Sequence, residues 1–72
     1  METPTTKSLL AATPIMRYFE YGHLPEALAA VSRPFCELAQ HIDQNLPGGP
    51  EKSVALRKLL ESKDAAVRAA LP

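Results

Sequence analysis

Apolar positions in this chain fall into two long stretches with helical spacing, separated by Leu46-Pro47-Gly48-Gly49-Pro50. In the first stretch Phe35, Leu38, Ile42 and Leu46 recur at intervals of three and four and predict a buried stripe, leaving Glu37, Gln40, Asp43 and Gln44 toward water. The second stretch, from about Glu51 to Ala70, places Leu56, Leu59, Leu60, Val67 and Leu71 on one apolar face. Ala55, Ser62, Ala66, Ala69 and Ala70 make an adjoining edge of small residues, across which another helix can approach closely, so this edge is a candidate subunit contact. Pro47 cannot extend the first helix, the paired glycines permit a tight joint, and Pro50 fits the first turn of a new helix. The expectation is a helical hairpin.

Upstream the pattern is more broken. Pro25 to Val31 is alanine-rich and reads as a short helix, with Glu26 favourable near its start. Pro34 lacks an amide donor, which predicts a break or kink near Ser32, where the serine caps a fresh helix running to about Asn45. From Ile15 to Tyr21, alternation of Tyr18 and Glu20 against Phe19 and Tyr21 predicts an extended piece. Residues 1–14, with four threonines, one serine and two prolines, read as a flexible N-terminal arm, or alternatively as an arm that docks on a neighbouring subunit through Leu9 and Leu10. The predicted fold class is all-α: a short N-terminal helix plus an antiparallel helical hairpin over residues 15–72, assembled as a homo-oligomer.

Composition supplies the reason for assembly. Seventy-two residues bury a modest core, yet 46% of them are hydrophobic. Cys36 is the single cysteine, so no disulfide staples the chain, and it reads as a reduced, partly buried thiol. Eight basic and eight acidic side chains cancel, which argues against a general DNA or RNA binder. No apolar run suits a membrane span or a signal peptide, and a cytoplasmic location is expected.

Candidate chemistry is confined to binding. His23 and His41 are isolated and lack zinc spacing, and Cys36 and His41 lie five apart on a helix and point away from each other. No catalytic set is visible, the Gly48-Gly49 pair is no phosphate loop, and neither an enzyme nor a cofactor is expected. A helix-turn-helix DNA reader fits poorly with balanced charge and an alanine-rich last helix. Three of the four aromatic residues cluster within Tyr18–Tyr21. They seal one end of a thin core, or else Tyr21 and Tyr18 offer faces for a nucleobase. Arg33, in a helix's first turn, is a candidate anion partner. Glu61 lies three from Lys58 and Asp64 four from Arg68, so local ion pairing is the plain reading of this face; it is accepted for Lys58 and Lys63, while Arg57 and Arg68 remain candidates for a ligand.

The strings Tyr18-Phe19-Glu20-Tyr21-Gly22-His23 with Pro25, Glu37-Leu38-Ala39 with Ile42-Asp43 and Leu46-Pro47, and Glu51-Lys52-Ser53-Val54-Ala55-Leu56 together resemble one family. It is the family of small phage anti-CBASS sponges, which sequester cyclic oligonucleotide signals and so blunt antiphage immunity. The likeness spans about residues 17–71. It implies short helical hairpins assembled into hexamers, with cyclic dinucleotides of the cGAMP type held uncleaved between protomers in the host cytoplasm. It implies that Tyr21 stacks on a base and that Arg33, beside Ser32, is the basic side chain nearest a phosphate. Tyr18, His23, Lys52, Arg57 and Arg68 complete the candidate ligand-binding set. Two alternatives accompany this expectation: a sponge for another signalling nucleotide, such as a cyclic ADP-ribose derivative, and a small helical interaction or assembly module.

Overall fold

Proline begins each helical segment among the described residues, either as its first residue or as the residue before it. Pro14 opens a 3-10 helix, Pro14–Phe19; Pro25 precedes helix α1, Glu26–Asn45; and Pro50 opens helix α2, Pro50–Ala70. Proline's fixed φ is already helical, and its missing N–H falls where no intrahelical partner exists. These elements come from a computed structural model, which describes residues 13–72. The arm expected over residues 1–14 lies outside the described residues except for Thr13 and Pro14, as does any docking through Leu9 and Leu10. The described chain is helical, with no strand, and so agrees with an all-α reading.

Two expectations about where helix begins and ends fail. The piece predicted as extended is helical over its first part, with Met16 and Phe19 1% and 0% exposed. In a 3-10 helix, side chains three apart eclipse one another, so that spacing puts both on one line facing the core. The predicted break near Ser32 is absent as well: α1 runs through Pro34 for 20 residues. Proline in a helix interior costs roughly 3 kcal/mol. Here Pro34 is exposed, so the carbonyl it leaves without a donor can turn to water, while Ser32 and Cys36 anchor the helix on either side of it.

The buried line of α1 is also rotated from the predicted stripe. Ser32, Cys36 and Ala39 are its buried residues, Phe35 and Ile42 flank them half-buried, and Leu38 and Leu46 are each 48% exposed. Small side chains on α1 let α2 come close, and Leu56 and Leu60 of α2 fill the space together with Met16 and Phe19. Leu59 packs at the edge of this core, Val67 is half-buried, and Leu71 is 52% exposed past the end of α2.

Helix α1 ends at a joint that α2 helps to close. The Leu46 amide donates to the Ile42 carbonyl at 3.1 Å. The Asp43 carbonyl, which has no partner within its helix, accepts from Lys52 Nζ at 2.8 Å. Lys52 Nζ also lies 3.3 Å from Asp43 Oδ1, with both side chains largely buried. A cation in the first turn of α2 is unfavourable to that helix but complements the negative end of α1. Asp43, expected to face water, is instead the acceptor at the centre of this joint. Gly49 precedes α2 at φ 154° and ψ 177°, a conformation essentially reserved for glycine.

Candidate functional site

The turn between the 3-10 helix and α1 overhangs the C-terminal half of α2. Its Leu24 amide donates to the Tyr21 carbonyl at 3.1 Å, which folds the chain back and projects His23. A cleft of about 330 Å³ lies beneath, lined by Arg17, Tyr18, Glu20, His23, Leu24, Lys63, Asp64, Val67 and Arg68. Three permanent cations, Arg17, Lys63 and Arg68, face two carboxylates, Glu20 and Asp64, around a floor that includes Leu24 and Val67. Tyr18 is 60% exposed, and the Arg17 guanidinium sits 5.9 Å from the centre of its ring, within cation–π range. Lys63 pairs with Asp64 at 2.9 Å. Asp64 had been expected to pair with Arg68; among the described residues, no ion pair engages Arg68, Arg57 or Arg17.

Three of the seven sequence candidates, Tyr18, His23 and Arg68, therefore meet in one cleft. Tyr21 and Arg33 form a second grouping that does not line it. Tyr21 is half-buried and packs against the core, and its hydroxyl lies within electrostatic reach of Arg33. The Arg33 guanidinium donates to Glu37 at 3.1 Å in an exposed pair four residues apart. Hydrogen bonding to Glu37, then its charge, and then a smaller effect of Tyr21 hold Arg33 above its ordinary pKa, so it stays a cation. An exposed pair of this kind is weak and can yield to a phosphate oxygen.

Arg57 lies apart, on another groove of about 380 Å³ with Thr13, Ile15, Ser53, Val54 and Lys58. Lys58 pairs with Glu61 at 3.6 Å, as its spacing suggested. Lys52 is engaged in the joint described above and reaches neither cleft. Sequence reasoning missed Arg17 and set Lys63 aside. The repeat of Lys63, Val67 and Arg68 on one side of α2 was a usable signal; the 3-10 helix that brings Arg17 over it was not.

What such a cleft can do is bind. It offers an exposed ring, a small apolar floor and several hydrogen-bond donors of positive charge, which suits a planar heterocycle attached to an anionic group. Among the described residues no group of His, Cys, Asp and Glu could hold a metal ion. No helix among them is long and apolar enough to cross a membrane. In comparisons with known proteins, no family model, no curated protein and no solved structure matches the chain.

Proposed function

We propose that this protein is a phage-encoded sponge that binds and sequesters cyclic dinucleotide immune signals of the cGAMP type in the host cytoplasm, without cleaving them, and so blocks CBASS-type defence. The reading starts from the resemblance carried by the Tyr18–His23 and Glu51–Leu56 strings. The single observation that carries it further is the convergence of Tyr18, Arg17, His23 and Arg68 on one cleft. A base stacked on an exposed tyrosine gains about 1–3 kcal/mol, and the guanidinium groups supply the forked donors that phosphates favour. At about 330 Å³ the cleft is at the small end of the ~300–1,000 Å³ typical of ligand sites. It holds one base with its phosphate, and a whole cyclic dinucleotide requires a second copy of the cleft. A two-fold pair of clefts would match a ligand that is itself nearly two-fold symmetric. Exposed Leu38, Leu46, Val54 and Leu71 supply apolar surface for that self-association, into a hexamer.

The same four residues favour the second reading, a module whose surface binds another protein. Thermal melting with a panel of cyclic dinucleotides and a cyclic ADP-ribose derivative separates the two. A sponge melts higher with one class of nucleotide in excess, by linkage, and Tyr18→Ala abolishes that gain while leaving the unliganded transition in place. No shift with any nucleotide supports the module. A shift with the ADP-ribose derivative alone changes the messenger and keeps the mechanism.

A further inference from the structure

Residues 13–25, which carry most of the cleft, are joined to the hairpin by little besides apolar packing. Met16 and Phe19 are buried. Thr13 is the one residue of this segment whose side chain hydrogen-bonds to a helix among the described residues, its hydroxyl donating to the Asp43 carboxylate. We propose that Asp43 is the positioning residue of the cleft: through Thr13 it fixes the 3-10 helix that carries Arg17 and Tyr18, without touching a ligand itself. The proposal rests on the sponge reading for its ligand, but not for its geometry.

The local chemistry supports this role. Asp43 sits in the last turn of α1, where the helix dipole disfavours a carboxylate, and its side chain is only 9% exposed. Lys52 neutralises it on one side and Thr13 uses an oxygen on the other. Thr13 precedes Pro14, and its carbonyl accepts the first 3-10 hydrogen bond, from the Met16 amide at 2.9 Å. Its side chain makes no capping bond to the turn it introduces; it is spent on Asp43 instead. A short 3-10 helix has poor internal hydrogen bonds and depends on its surroundings for its orientation. Met16 and Phe19 lie on a single line and set the depth of the turn, while Ile15 and Tyr21 pack half-buried beside them through apolar contacts that have no fixed direction. The Thr13–Asp43 contact is the directional, polar tie between this segment and α1 among the described residues. It sets the start of the 3-10 helix against α1 and so where Arg17 and Tyr18 stand relative to Arg68.

The test uses the two tyrosines as reporters, since both lie at the cleft segment and the chain has no tryptophan. Thr13→Val keeps the shape and deletes the donor; Thr13→Ser keeps the donor. The probe ligand is 3′,3′-cGAMP, and the readouts are its Kd, time-resolved tyrosine anisotropy and far-UV circular dichroism. Thr13→Val is expected to raise Kd about fivefold, as for loss of one hydrogen bond, and to increase the fast local component of the anisotropy decay, with helical signal unchanged. Thr13→Ser restores both. Wild-type anisotropy in Thr13→Val overturns the proposal, and so does a Thr13→Ser variant that behaves like Thr13→Val. If the wild-type chain binds no cyclic dinucleotide, the sponge reading fails, and the anisotropy pair still decides the role of Asp43.

Discussion

Ser32 is fully buried, and its hydroxyl has no hydrogen-bond partner among the described residues, so replacing it with alanine should make the protein more stable. A buried hydroxyl left unpaired forfeits about 1–3 kcal/mol of hydration. Alanine also exceeds serine in helix propensity by about 0.5 kcal/mol, and Ser32 lies inside α1. Against this stands the small void left by one oxygen atom, which costs less than about 1 kcal/mol. The net expectation for Ser32→Ala is a gain of about 1–2 kcal/mol. At about 4–8 °C per kcal/mol for a chain of this length, the melting temperature should rise by roughly 5–15 °C. Thermal melting measures that rise and urea denaturation the free energy, both followed by far-UV circular dichroism at one fixed protein concentration, since any self-association would add to apparent stability. Ser32→Val serves as the control: added bulk between α1 and the core should lower the midpoint. A lower midpoint for Ser32→Ala itself would refute the reasoning, because it would mean that the hydroxyl has a partner of value.

Lys52→Met keeps the side-chain stem while removing the charge, and should destabilise by about 2–3 kcal/mol, because the Asp43 carbonyl loses its partner and the carboxylate its counter-charge, keeping only Thr13; in denaturant titrations Asp43→Asn combined with Lys52→Met should lose less than the two single changes together. Burial first, then the carboxylates of Glu20 and Glu37, push the Cys36 thiol above its ordinary value of 9.0, against an opposing effect of Lys63. The folded state thus prefers the protonated thiol: this contribution is complete below the ordinary value and is lost as pH rises toward the raised one. The melting temperature of wild type relative to Cys36→Ala should therefore fall as pH rises past the ordinary value of 9.0, and a constant difference would contradict that environment. Arg33→Ala should leave the fold intact and weaken 3′,3′-cGAMP binding a few-fold with a shallower salt dependence, whereas unchanged titrations at two salt concentrations would remove Arg33 from the site.

The hairpin was legible because its signals are local. Pro47, Gly49 and Pro50 dictate a joint whatever else the chain does, and the leucines of α2 keep helical spacing. The errors arose where tertiary packing overrode a local rule. Pro34 reads as a helix breaker, but packing on both sides of it outweighs one lost hydrogen bond. Leu38 looks like core by size, yet the core is lined on that side by Ser32, Cys36 and Ala39, whose smallness draws α2 in. The candidate site was legible in part for the same reason. Tyr18, His23 and Arg68 stand out as residue types suited to a nucleotide, but nothing in their spacing says that residues some 50 positions apart share a cleft. Tyr21 and Tyr18 could not be ranked from the chain alone. Their exposures differ because the 3-10 helix turns Tyr18 outward and the following turn lays Tyr21 against the core.

Equilibrium dialysis of the purified protein against 3′,3′-cGAMP, followed by heat release and chromatography of the bound fraction, tests the central claim most directly. The account predicts saturable uptake and recovery of all of the nucleotide chemically intact, with uptake lost in Tyr18→Ala. Equal nucleotide concentrations on both sides of the membrane, or recovery of linear cleavage products, would contradict it.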